Sequence, residues 1–234
     1  MDMKIEKFDL TVPVLGKTSI KSPISLSVAK DDFIANYVGD DQFILYNIEI
    51  DGKDVQVETG KCNLLEKAGP REKIFFDPSK VRAAIVTCGG LCPGLNNVIR
   101  AIVMCLWYNY GTERICGIKY GYRGFLPEFK LPCVELNPGI VERIHQFGGT
   151  LLGSSRGYGD RTGDIVDHLE RMNINMLFTI GGDGTQRGAL KIVTEIAARG
   201  LKIAVVGVPK TIDNDLSFVQ KSFGFETAVS SAVK

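Results

Sequence analysis

The sequence predicts a doubly wound α/β domain with a mostly parallel sheet, preceded by a segment of different texture. Three observations carry that expectation. From Val81 onward, apolar runs of strand length alternate with longer segments of helical character. Glycine-rich loops separate strand from helix, which is the rhythm of βαβ units. The three loops of unusual composition, at 89–94, 181–185 and 209–215, all fall at the ends of predicted strands. In open α/β sheets ligands bind outside the carboxyl ends of the strands, so these loops are expected to share one edge.

Residues 1 to about 80 read as a lead-in extension. Short alternating segments such as "QFILYNIEI" and "KDVQVET" are separated by "GDD", "DGK" and "AGPRE", a pattern of short strands and hairpin turns that includes one at Asp51-Gly52. The main domain, 81–234, opens with "VRAAIVTC", a run suited to a strand buried on both faces. "NVIRAIVMCLWYNY" follows as a mostly buried helix and "RICGIKY" as a second strand. "GDIVDHLERM" is an amphipathic helix with Ile165, Val166 and Leu169 on one side. "NMLFTI" is the next buried strand, and "ALKIVTEIAAR" is a helix closed by Gly200. "KIAVVGVP" is a further strand, and "FGFETAV" opens a last helix, with Phe223 and Phe225 as core or contact residues.

Composition excludes several classes. Hydrophobic residues make up 44% and charged residues 24% of 234, ordinary for a globular protein. Lys plus Arg number 28 against 27 Asp plus Glu, so the net charge of +1 gives no basic excess toward nucleic acid or a membrane surface. No apolar run reaches the ~18 residues of a membrane span, and the charged "MDMKIEKFDL" is no signal peptide. The six cysteines lack nearby histidines; Cys88 and Cys92, bracketing "GGL", read as small buried residues of a tight loop in a reducing, cytoplasmic setting. His145 reads as a structural helix residue.

The loops carry the chemistry. In "GGLCPGLN", Gly89 and Gly90 can bring backbone N–H groups close to an anion at a helix start, although a plain tight βα turn needs the same residues. "GGDGTQRG" misses the dinucleotide fingerprint by one residue and contains no P-loop. What remains is a glycine loop, Gly182, Gly184 and Gly188 with Thr185, around a carboxylate, Asp183. An acid among phosphate-cradling glycines repels phosphate unless a cation sits between them, which points to Mg2+. The plainer reading makes Asp183 a turn residue or cap. In "VPKTIDNDL", Lys210, Thr211, Asp213 and Asp215 crowd one strand end. A helix cap needs only one Asp; phosphoryl transfer to a hydroxyl needs a carboxylate base, acids to manage charge and metal, and a cation for the moving oxygens. Arg156, after the glycine-rich "FGGTLLGSSR", adds an always-charged phosphate donor, and Tyr122 with Arg123 forms a weaker signal after another strand.

Together, "TCGGLCPGLNNVIR", "GGTLLGSSR", "GGDGTQRGA" and "PKTIDNDL" followed by "FGFETAV" resemble the phosphofructokinases in order and approximate spacing. The resemblance covers about residues 70–234 and is nearest the plant and kinetoplastid branch, down to the lead-in "KIFFDPSKVRAAIV". It implies a Rossmann-like domain and an Mg2+-dependent enzyme that transfers a phosphoryl group from ATP to the 1-hydroxyl of fructose 6-phosphate. By the same resemblance Asp213 is the base, with Thr211 and Asp215 beside it on the sugar, and Asp183 holds Mg2+. Gly90 and Gly184 lie against the donor phosphates, with Thr185 and Gly188 near them and Gly89 and Gly182 in the same loops, Arg156 stabilises the moving group as the charge of Lys210 also would, and Tyr122 flanks the nucleotide. A homo-oligomer, commonly a tetramer, goes with the family.

Donor choice rests on two positions. Pyrophosphate-using members usually carry Asp where this chain has Gly184, while Lys210 matches pyrophosphate enzymes and replaces the glycine of bacterial ATP enzymes. The mixed pattern resembles the plant and kinetoplastid ATP enzymes, with pyrophosphate as the alternative donor. A non-catalytic nucleotide-binding subunit is a further alternative, opposed by the intact Asp213–Asp215 pair. The family's later sugar-phosphate contacts have no counterpart here, so this segment alone is expected to turn over poorly.

Overall fold

A computed structural model describes residues 9–29, 31–45, 64–217 and 219–233. The Asp51-Gly52 turn and "KDVQVET" lie outside the described residues. The chain divides into two units, Met1–Phe75 and Phe76–Lys234, so the division falls five residues before the boundary expected at 80. Pro78 and Ser79 explain the shift: their carbonyls accept from Thr112 Oγ1 at 3.1 Å and Arg114 Nη2 at 2.9 Å, so both belong to the second unit.

In the first unit, β1 (Ile20–Lys21) pairs antiparallel with β4 (Lys73–Ile74), and β2 (Phe43–Leu45) with β3 (Leu64–Glu66). Arg71 donates to Asp40 at 2.9 Å and to Glu66 at 2.7 Å. Among its described residues no apolar side chain is buried.

The second unit is built on one five-stranded sheet of order β7-β6-β5-β8-β9. Its strands are β5 (Arg82–Thr87), β6 (Arg114–Ile118), β7 (Val134–Leu136), β8 (Met176–Gly181) and β9 (Ala204–Pro209). All pairings are parallel except β6–β7. The short antiparallel β7 was not expected, because three residues in a mixed polar stretch give no periodic signal.

Side chains alternate across β5, and the two faces fill two cores. Ala84 and Val86 pack with Ile165, Val166 and Leu169 of α3 (Thr162–Arg171) and Ile192 and Ile196 of α4 (Asp183–Ala198). Ala83 and Ile85 pack with Leu95, Ile99 and Val103 of α1 (Leu95–Met104) and Val141 of α2 (Pro138–Val141). Helices on both faces make the sheet doubly wound, as expected. α1 is buried along one stripe only, and its continuation Cys105–Asn109 is a π turn. No helix among the described residues is long and apolar enough to cross a membrane.

One helix start differs from expectation. α4 begins at Asp183 rather than at Ala189, so most of "GGDGTQRG" is helix, and only Gly181, the last residue of β8, and Gly182 precede it. Gly184 and Gly188 are tolerated because the helix is long and its apolar stripe, including Ile192 and Ile196, is buried. The strand expected at "KIAVVGVP" is present as β9, at the edge of the sheet, with Val206, Gly207 and Pro209 exposed. The last helix, α5 (Phe225–Ala232), buries no residue, while Phe223 before it packs on the core.

Candidate functional site

Strand order places the site. The chain leaves β5 toward β6 on one side and returns to β8 on the other, so β5 and β8 flank the switch point of the sheet. At their carboxyl ends a cleft of about 360 Å³ opens. Gly89 and Gly90 after β5, Gly182, Asp183, Gly184 and Thr185 after β8, and Lys210 after β9 all line it. Tyr122 and Arg156 join from two other loops. Nine of the thirteen lining positions are thus residues singled out from sequence.

Each is held by local structure. Gly89 has φ 84°, a conformation that favours glycine, and its N–H donates to the Ser155 carbonyl at 2.9 Å. Ser154 Oγ donates back to the Gly89 carbonyl at 2.6 Å. Gly89 is therefore a brace between two loops, its own N–H engaged, whereas the Gly90 N–H has no partner among the described residues. The brace sets Arg156 opposite: a Cβ on Gly90 would lie 3.9 Å from Arg156 Nη2. Arg156 forms no ion pair among the described residues and remains exposed to the cleft.

Across the cleft, Gly182 caps α4 and Asp183 is its first residue, exposed and unpaired among the described residues. The first N–H groups of a helix have no intrahelical partner, so α4 presents donors and its positive end to the space beside Asp183. A Cβ on Gly184 would meet nothing within 4 Å, which leaves the cleft floor open. Thr185 is buried, and its carbonyl accepts from Tyr122 Oη at 2.7 Å. Tyr122 is itself 2% exposed, and a Cβ on Gly188 would lie 2.7 Å from its ring. Gly188 thus supports Tyr122 from beneath rather than lining the cleft. Burial pushes the Tyr122 phenol upward and the neighbouring Cys88 thiol up to about 12, so both are neutral wall groups.

Lys210 is only 8% exposed, and its backbone N–H donates to the Gly181 carbonyl at 3.0 Å. Its side chain has no ion-pair partner among the described residues, an arrangement that is costly unless an anion arrives. Thr211, Asp213 and Asp215 follow but are not among the lining residues. Thr211 Oγ1 donates to Asp215 at 2.5 Å and accepts from the Asp213 N–H at 3.0 Å. These bonds hold the loop as a turn that leaves the Asp213 carboxylate exposed.

The donor set fits Mg2+ held through phosphate. Among the described residues no group of three or more His, Cys, Asp and Glu forms a protein cage. One free carboxylate beside open space is what Mg2+ uses when phosphate oxygens and water complete its shell. Sequence reasoning missed Ser155, Gly157 and Gly159, which also line the cleft, and Ser154 behind it; small residues in a glycine-rich run carry no signature of their own. His145, expected on a helix, lies exposed in a 3-10 turn (Ile144–Gln146) outside the cleft.

A phosphofructokinase family profile matches residues 82–234. The chain is 54% identical over 236 residues to the ATP-dependent 6-phosphofructokinase of Borreliella burgdorferi, covering 99% of this chain and 51% of that protein. It is 56% identical over 166 residues to ATP-dependent 6-phosphofructokinase 7 of Arabidopsis thaliana, covering 71% of this chain and 33% of that one. Among solved structures, a phosphofructokinase from Saccharomyces cerevisiae is similar with a TM-score of 0.56 and 26% identity, over 65% of this chain and 23% of that one. The chain spans about half the length, or less, of these relatives.

Proposed function

This chain belongs to the phosphofructokinase family, and from that premise we propose that it provides the phosphoryl-donor side of an Mg2+-dependent transfer from ATP to the 1-hydroxyl of fructose 6-phosphate. One observation carries the reading: Asp183, Lys210 and Arg156, unpaired among the described residues, converge on a cleft whose floor at Gly184 is open. Three charged groups without partners, around glycines and a helix N-terminus, fit a polyanion that brings its own cation. Mg2+ bound through Asp183 and donor phosphates would supply charge neutralisation for the transferred group. Asp213 accepts the proton of the attacking hydroxyl as the new O–P bond forms and the bond to the ADP oxygen breaks. Arg156 and Lys210 stabilise the equatorial oxygens, where negative charge is spread during transfer. Thr211 holds Asp215 beside the base and thereby shapes the sugar side.

ATP is favoured as donor because the space at Gly184 admits the α-phosphate, which an acidic side chain there would repel. Pyrophosphate is the second reading, supported by Lys210 lining the same cleft. Calorimetric titration with Mg2+ and either ATP or pyrophosphate, followed by assay of fructose 1,6-bisphosphate formation, separates them. Binding of ATP and not pyrophosphate is expected; the reverse preference overturns the donor assignment, and binding of neither overturns the cleft as a donor site. Asp213→Asn is expected to spare donor binding and remove at least ~100-fold of any turnover, as loss of a general base does.

A further inference from the structure

We infer that Gln186 is a positioning residue that fixes the spacing between the Asp183 and Lys210 sides of the cleft. The inference rests on the reading of that cleft as a magnesium–phosphate site. Gln186 lies in the first turn of α4, three residues after Asp183, and does not line the cleft. Its side-chain amide Nε2 donates to the Gly181 carbonyl at 2.9 Å and to the Val208 carbonyl at 3.3 Å. Two carbonyl oxygens facing one end of the amide identify that end as the nitrogen, since an oxygen there would meet lone pairs only. One side chain therefore links the helix that carries Asp183 to the carboxyl ends of both β8 and β9.

The Gly181 carbonyl is the shared point. It accepts from Gln186 on one lone pair and from the Lys210 backbone N–H, at 3.0 Å, on the other. Helix start, strand end and lysine are thus fastened to a single oxygen. β9 is the edge strand, with no neighbour beyond it in the sheet among the described residues, so within the sheet its far end is held from the β8 side alone. The sequence also makes room for this link: a Cβ on Gly207 would lie 2.1 Å from Gln186 Oε1. Gly207 does not have a positive φ, so its glycine is explained by the space the amide occupies rather than by backbone conformation.

If the link sets the distance between metal side and lysine side, its loss weakens binding that uses both sides more than binding that uses the cations alone. The experiment titrates the 234-residue chain with ATP in Mg2+ and with ATP in EDTA, and compares the two affinities. Gln186→Leu keeps the volume and removes both donors; Gly207→Ala leaves Gln186 in the sequence but displaces its amide. Each is expected to reduce the Mg2+-dependent gain in ATP affinity roughly tenfold, the scale of a lost hydrogen-bonded restraint, with little change in the EDTA affinity. The double variant is expected to match the singles, because both remove one link. An unchanged gain in both variants, an equal loss with and without Mg2+, or additive effects in the double variant overturns the inference. Should Gln186→Leu not fold, Gly207→Ala decides alone. Asp183→Asn serves as the control for the cleft: if the wild-type chain gains nothing from Mg2+, or keeps its gain in Asp183→Asn, the site reading fails and takes the positioning role with it.

Discussion

Gly184 and Gly181 stand three residues apart and have opposite reasons for being glycine. A side chain on Gly184 would enter open cleft, whereas a Cβ on Gly181 would lie 2.2 Å from Thr185 Oγ1 and 2.8 Å from the Cys88 carbonyl. Gly184→Asp is therefore expected to fold normally while placing a second carboxylate beside Asp183. ATP affinity should fall at least tenfold, by like-charge repulsion of the α-phosphate, and a calorimetric titration that finds it unchanged removes Gly184 from donor selection. Gly181→Ala should instead cost about 2–3 kcal/mol of stability in urea unfolding, because rigid backbone and a buried threonine must move. The quoted motif displays both glycines alike; only the neighbours of each tell open space from close packing.

At the level of elements, α3 contains a residue that makes stability depend on pH. His168 packs edge-on against Phe125, ring centroids 5.5 Å apart, and Arg171 Nη2 lies 3.1 Å from its Nδ1. Burial first, and the Arg171 charge second, lower its pKa from the ordinary 6.5. The folded state thus resists protonation while the unfolded chain accepts a proton near its ordinary value. This contribution is complete above about pH 6.5 and is lost as pH falls through the depressed folded value. The urea midpoint of the wild type should drop between pH 7.5 and 5.5 by more than that of His168→Gln, and parallel slopes would sink the assignment. Elements also show where periodicity reads well. α3 and β8 were legible because their apolar spacing matches what they bury, while β7 is too short to show a period and the start of α4 is disguised by its glycines.

Over the whole chain, the two units differ in what can hold them together. Every buried apolar side chain among the described residues belongs to the unit Phe76–Lys234, which has a core on each face of its sheet. The described part of the first unit has two short strand pairs and a surface ion cluster at Arg71, where side-chain pairs contribute little. Residues 76–234 expressed alone are expected to unfold cooperatively and to bind ATP with Mg2+ as the entire chain does.

Local sequence was enough to read the alternation of strand and helix, the edge on which the glycine loops meet, and nine of the thirteen positions that line the cleft. These follow from local rules, since burial on both sheet faces writes apolar runs and phosphate-type sites require glycines and charges near strand ends. Which loop braces which is set by contacts distant in sequence. Nothing local links Gly89 to Ser154 and Ser155, or Gln186 to Gly207 and Val208, because these contacts join segments 21 to 66 residues apart or depend on strand order. Tertiary structure also separated Lys210, inside the cleft, from Thr211, Asp213 and Asp215 just outside it. One turn after β9 makes that division, and its direction comes from the hydrogen bonds of Thr211 rather than from the spacing of the acids.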